Sequence, residues 1–141
     1  MRVVPGEAFQ GDWAGRGAAF GDLDNDGDVD VVVSNVGQKV LVLRNDGGNR
    51  QSWLGIRTVG RTSNRDGIGC RAKVVSASGL IQYLTVNTAA GYLSASDKQL
   101  LVGLGRAATA TLVEIRWPSG IVQKLQNVAS GQTVVATEPA R

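Results

Sequence analysis

Asp22-Leu-Asp-Asn-Asp-Gly-Asp-Val-Asp30 places a carboxylate at every second position from Asp22 to Asp30, with Gly27 sixth in the run. A hard divalent cation collects six to eight oxygens around one point. Alternate aspartates supply them if the chain coils tightly, and a glycine permits the sharp turn. The spacing assigns Asp22, Asp24, Asp26 and Asp30 as side-chain ligands and the backbone carbonyl of Asp28 as a further one. Calcium suits so oxygen-rich a loop better than the smaller magnesium. A helical calcium loop is excluded. Its twelfth position is Val33 instead of a bidentate Glu, and Val31-Val32-Val33 is β-branched where a helix would have to leave. An ion-free acidic turn would leave five carboxylates repelling one another. Use of the aspartates as a catalytic acid and base would need a cleft that no other motif indicates.

Outward from the loop, Gly17-Ala-Ala-Phe-Gly21 reads as a strand entering it and Val29 to Asn35 as a buried strand leaving it. Lys39 to Arg44 makes a third strand, closed by the turn chemistry of Asn45-Asp-Gly-Gly48. The three form a meander. After a polar connector, strands are predicted near 53–59, 70–77, 80–88, 100–103, 111–117, 121–126 and 132–137. Ser78-Gly79 and Pro118-Ser119-Gly120 serve as hairpin turns. Val113, Ile115 and Trp117 alternate onto one face, which makes Trp117 a core residue. No stretch holds a 3.6-residue period over ten positions. The expected fold is all-β: an antiparallel β-sandwich (51–141) preceded by one propeller-blade-like meander (1–50).

The rest of the composition narrows the function. The chain of 141 residues has 19 glycines, a single cysteine (Cys70) and no histidine. The usual zinc ligand and every His-dependent triad are therefore excluded, and no internal disulfide can form. No apolar run of 18 residues exists, so no helical membrane span is expected. The opening Met1-Arg-Val-Val-Pro-Gly6 is too short and too soon broken for a secretory leader. The reading is that a leader was removed or that the chain is part of a larger protein. Residues 1–50 hold eight acids against five bases, and residues 51–141 hold four against ten. The basic residues of the second half form no run, so they read as a solvated surface and not a nucleic-acid footprint. Gly103-Leu-Gly105 lacks the third glycine and following helix of a phosphate loop.

Gly17-Ala-Ala-Phe-Gly-Asp-Leu-Asp-Asn-Asp-Gly-Asp-Val-Asp-Val-Val-Val33 resembles an FG-GAP (VCBS-type) repeat, the calcium-binding blade unit of integrin-like propellers. Trp53-Leu-Gly-Ile-Arg57, Ser63-Asn-Arg-Asp-Gly-Ile-Gly69, Gly91-Tyr-Leu-Ser-Ala-Ser-Asp97, Val102-Gly-Leu-Gly105 and Trp117-Pro-Ser-Gly120 resemble the ASPIC/UnbV domain. The resemblance implies calcium on Asp22, Asp24, Asp26, Asp28 (by its carbonyl) and Asp30, in a non-catalytic extracellular adhesion or scaffold module. It departs from the family in showing one repeat where several are usual, and a propeller needs about four blades to close. The partner is expected to be a protein or a glycan. The alternative function is a carbohydrate-binding module using exposed aromatics, drawn from Trp13, Trp53, Trp117, Tyr83 and Tyr92. It requires two or three of those rings on one exposed face. Val31, Val33, Val40 and Val42 put apolar surface on both faces of the meander, so a homo-oligomer through it is expected.

Overall fold

The computed structural model describes Gly6 and residues 9–140, and most of the opening stretch Met1–Gly6 lies outside them. The described residues form twelve strands. A three-stranded antiparallel meander consists of β1 (Gly15–Gly21), β2 (Asp30–Asn35) and β3 (Leu41–Leu43). A 3-10 turn at Gly48–Arg50 leads to two further sheets. One is four-stranded, in the order β11 (Val122–Ala129), β10 (Thr109–Arg116), β5 (Arg71–Ser76), β6 (Ile81–Thr85). The other has the order β12 (Gln132–Thr137), β4 (Ser52–Val59), β9 (Leu100–Gly105). A short ribbon of β7 (Ala89–Gly91) and β8 (Ser94–Ala95) joins β6 to β9.

The two larger sheets face each other across one apolar core. Leu54, Ile56, Val102 and Leu104 come from one sheet, and Ala72, Val74, Val113 and Ile115 from the other. Alternation along each strand makes this possible, since every second side chain points inward. Trp117 is buried among them as its shared face predicts, and its indole N–H donates to the amide oxygen Oε1 of Gln123 at 3.1 Å. Cys70 is fully buried, and desolvation followed by the charge of Glu138 pushes its thiol up to about 11. It is a small core residue and not a nucleophile.

The architecture is the all-β sandwich expected, with two features the alternation could not supply. β12 runs parallel to β4, with Gln132 opposite Leu54 and Thr137 opposite Val59. The chain reaches β12 by crossing from one sheet to the other after β11, so no hairpin fixes its direction. The β7–β8 ribbon falls in a stretch without periodicity. Among the described residues no helix is long and apolar enough to cross a membrane.

Just past β12 the Glu138 side chain is fully buried. Its Oε2 accepts the backbone N–H groups of Arg61, Thr62 and Ser63 at 2.7–2.8 Å. Its Oε1 accepts the hydroxyls of Ser63 and Ser119. One carboxylate thus pins the 61–63 loop and the Pro118-Ser119-Gly120 turn. Burial alone would raise its pKa. The hydrogen bonds from Ser119, Ser63 and Arg61 more than offset that and hold it at about 2, below the ordinary 4.5. The folded-state value is the lower one, so the stabilisation is complete above pH 4.5 and disappears as pH falls from there towards 2. Denaturant titrations across this window should show stability falling with pH in the wild type. Glu138→Gln should be less stable at neutral pH and should flatten that acid limb. An equally steep limb in the variant would refute this role for Glu138.

Candidate metal centre

The aspartate loop closes the β1–β2 hairpin, whose last registered pair is Gly21 and Asp30. Its coil is held from inside. Asp22 Oδ1 and Oδ2 accept the N–H groups of Asp26 and Gly27, each at 3.0 Å. Asp26 Oδ1 accepts the Asp28 N–H at 3.1 Å. Asp30 Oδ2 accepts the Leu23 N–H at 2.9 Å, and its Oδ1 accepts the Asn45 N–H at 2.8 Å. These two bonds, together with the Arg44 charge, outweigh burial and hold the Asp30 carboxyl below its usual range.

One carboxylate oxygen from each of Asp22, Asp24 and Asp30 lies within 4.8 Å of the other two. Asp26 is close in sequence but outside this group, its carboxylate engaged by Asp28. The Asp28 side chain is buried and accepts the Gly48 N–H at 2.9 Å, while its Oδ1 is buried without a partner. The structure therefore gathers three of the five aspartates and leaves the Asp26 and Asp28 carboxylates outside that group. The donors are all hard oxygens, and a buried carboxylate oxygen without a partner is costly unless positive charge is near. The residues present fit a hard divalent cation.

Two segments outside the loop complete its support. The turn read as a strand terminator holds the loop from one side: Asn45 reaches Asp30, Gly48 reaches Asp28, and the Asn49 amide donates to the Asp26 carbonyl at 3.1 Å. On the other side the Trp53 indole of β4 lies against Gly27, so close that a Cβ on residue 27 would fall 1.9 Å from Trp53 Cε2. Gly27 also has φ +96°, a region that disfavours side chains. The loop thus rests on the outer face of the β12-β4-β9 sheet, where Phe20, Asp22 and Val29 face Asp97, Gln99 and Leu101 across a cavity of about 180 Å³.

The exposed edge of β1 is covered by the ribbon segment. The hydroxyls of Ser94 and Ser96 accept the Ala18 and Phe20 N–H groups at 3.1 and 3.0 Å, and the Asp97 N–H donates to the Phe20 carbonyl at 2.9 Å. Gly91-Tyr-Leu-Ser-Ala-Ser-Asp97 is therefore the piece that fastens the sandwich to the meander. Residues 60–141 match the family described as ASPIC and UnbV. The chain belongs to the ASPIC and UnbV family. Similar proteins include Cartilage acidic protein 1 of Homo sapiens, 35% identical over 135 residues that cover 91% of this chain and 19% of the relative. The Mus musculus protein of the same name is 35% identical, covering 82% of this chain and 18% of its own length. That of Xenopus tropicalis is 27% identical, with 91% and 20% covered. The chain thus spans about a fifth of the length of these curated relatives. The ASPIC and UnbV match begins at residue 60, beyond the aspartate loop and Trp53.

Two of the five aromatic side chains that a sugar-binding face could use in this ASPIC and UnbV chain are engaged elsewhere. Trp117 is in the core and Trp53 is against Gly27. Tyr83 and Tyr92, each 75% exposed, stand on β6 and on the β7–β8 turn.

Gly27→Val should force Trp53 aside and strain the backbone, at a cost of ~1–3 kcal/mol. Melting curves, with the Trp53 emission assigned by difference against Trp53→Phe, measure both effects. An unchanged melting temperature with unchanged Trp53 emission would refute the close approach.

Proposed function

We propose that this chain is a calcium-stabilised, non-catalytic adhesion or scaffold module of a larger extracellular protein, its residues 17–33 forming an FG-GAP (VCBS-type) repeat. The observation that carries the reading is the convergence of Asp22, Asp24 and Asp30 in a loop coiled by its own backbone donors. Asp26 and the Asp28 carbonyl complete the proposed shell. Calcium, when bound, supplies the positive charge that offsets the crowded carboxylates. The chain's own residues do the rest: Asp22 and Asp30 hold the coil, and Trp53, Ser94 and Ser96 transmit its position to the sandwich. Membership of the ASPIC and UnbV family and likeness to Cartilage acidic protein 1 support an extracellular setting.

Asp24 offers the cleanest test, being exposed and outside the hydrogen bonds that hold the coil. Titration calorimetry should give a Kd of ~10⁻⁵–10⁻³ M for calcium on the wild type. Asp24→Ala should keep its fold and lose most of the heat. A saturating hundredfold excess over Kd should add ~2.7 kcal/mol to wild-type stability. Equal heats for the two proteins would remove calcium from the reading.

Assembly through the meander is proposed at β3 alone, because β1 is already covered. Val40, just before that three-residue strand, and Val42 within it are 58% and 62% exposed. Light scattering should report twice the mass of one chain, falling to a single mass for Val42→Lys. A wild type that elutes as a single chain at micromolar concentration refutes the pairing.

A further inference from the structure

The two sheets of the sandwich differ in what covers them. The outer face of β12-β4-β9 carries the aspartate loop, whereas the outer face of β11-β10-β5-β6 carries rows of charge. Strand register builds those rows. Arg116 stands directly opposite Arg71, while Glu114 stands between Lys124 on one neighbour and Lys73 on the other. Tyr83 follows Lys73 across the next strand pair. Four cations and one carboxylate therefore share one face, although in sequence they are scattered from Arg71 to Lys124.

Stability accounts for Glu114 between two lysines but not for the rest of this arrangement. Like charges directly opposite on a sheet are destabilising, and Arg71 and Arg116 are such a pair. Glu114 is engaged by Arg116, Nη2 to Oε1 at 3.1 Å, and by Lys124, Nζ to Oε2 at 3.6 Å. Among the described residues Arg71 and Lys73 have no carboxylate within ion-pair distance. A shallow depression of about 720 Å³ runs over Arg71, Lys73, Tyr83, Glu114 and Arg116.

We infer that this face binds an anionic polysaccharide, with Arg71, Lys73, Arg116 and Lys124 meeting sulfate or carboxylate groups and Tyr83 packing on a sugar ring. Rows two residues apart lie ~6.7 Å from each other along the strands, and Lys124 and Lys73, two strands apart, are separated by ~9.6 Å, so a linear polyanion meets positive charge repeatedly. The arginine fork suits sulfate oxygens in pairs. Protein interfaces are depleted of charge at their centre, whereas here the centre is charged and the apolar Leu112, Val75 and Ile81 form one margin. Single-stranded nucleic acid calls for a series of stacking aromatics, and this face has one. The site lies on the opposite sheet from the aspartate loop and does not depend on calcium there.

Fluorescence anisotropy of labelled heparin with the full chain, at about 0.15 M ionic strength, tests the site. Wild type should bind with or without calcium, and more weakly as salt rises. Arg71→Gln with Lys73→Gln should bind roughly tenfold more weakly, as two lost phosphate-like contacts predict. Glu114→Gln, which releases Arg116 and Lys124, should bind more tightly. Arg106→Gln, in the turn between β9 and β10, removes a charge away from the face and should change little. Unlabelled desulfated heparin and single-stranded DNA should compete poorly. The inference is overturned by absent binding, by a loss in Arg106→Gln equal to that of the paired variant, or by equal competition from the DNA. If the paired variant melts early, Glu114→Gln decides, and no gain in affinity overturns the proposal.

Discussion

The contact between the Trp53 indole and the bare backbone of Gly27 sets how the two parts of the molecule meet. A flat ring on a half-buried strand can approach the chain this closely only where there is no Cβ. Residue 27 is also where the loop must turn with positive φ. One residue therefore serves both the coil of the loop and its seat on the sandwich. Asp22, whose carboxylate is tied to the Gly27 N–H, is placed by the same constraint.

From that seat the rest of the junction follows in short steps. With the loop on the β12-β4-β9 sheet, β1 lies beside residues 94–97, and serine hydroxyls reach amides that another strand would otherwise have to pair. The Asn45–Asn49 turn closes the remaining side through Asp30, Asp28 and the Asp26 carbonyl. The loop is thus supported from two directions by residues distant in sequence, which leaves Asp24 exposed at its rim.

Much of this is legible in the sequence, because strands and tight turns write themselves in local patterns. The meander, the β5–β6 and β10–β11 hairpins and the burial of Trp117 all follow from alternation and turn chemistry. The even spacing of aspartates marked the loop for the same reason. What stayed hidden depends on contacts between distant segments. Nothing local distinguishes Asp26, bonded to Asp28, from its neighbours. The parallel run of β12 is set by a crossing between sheets, and the serines of 94–96 acquire a role only when β1 lies beside them. Glu138 reads as an ordinary acid near the end of the chain until the 61–63 loop folds over it. The basic residues of the second half look diffuse along the chain, and register alone brings them together.

The parallel pairing of β12 with β4 bears on the order in which the molecule is made. β4 is synthesised before β12, so one of its edges finds its partner only when residues 132–137 arrive, and Glu138 then closes loops 75–77 positions back. Contacts of such long sequence separation form slowly. Until then a Leu- and Ile-bearing strand presents open backbone, the kind of edge that pairs with foreign strands. The interval between the emergence of β4 and that of β12 is the period in which a growing chain is most exposed to misassembly.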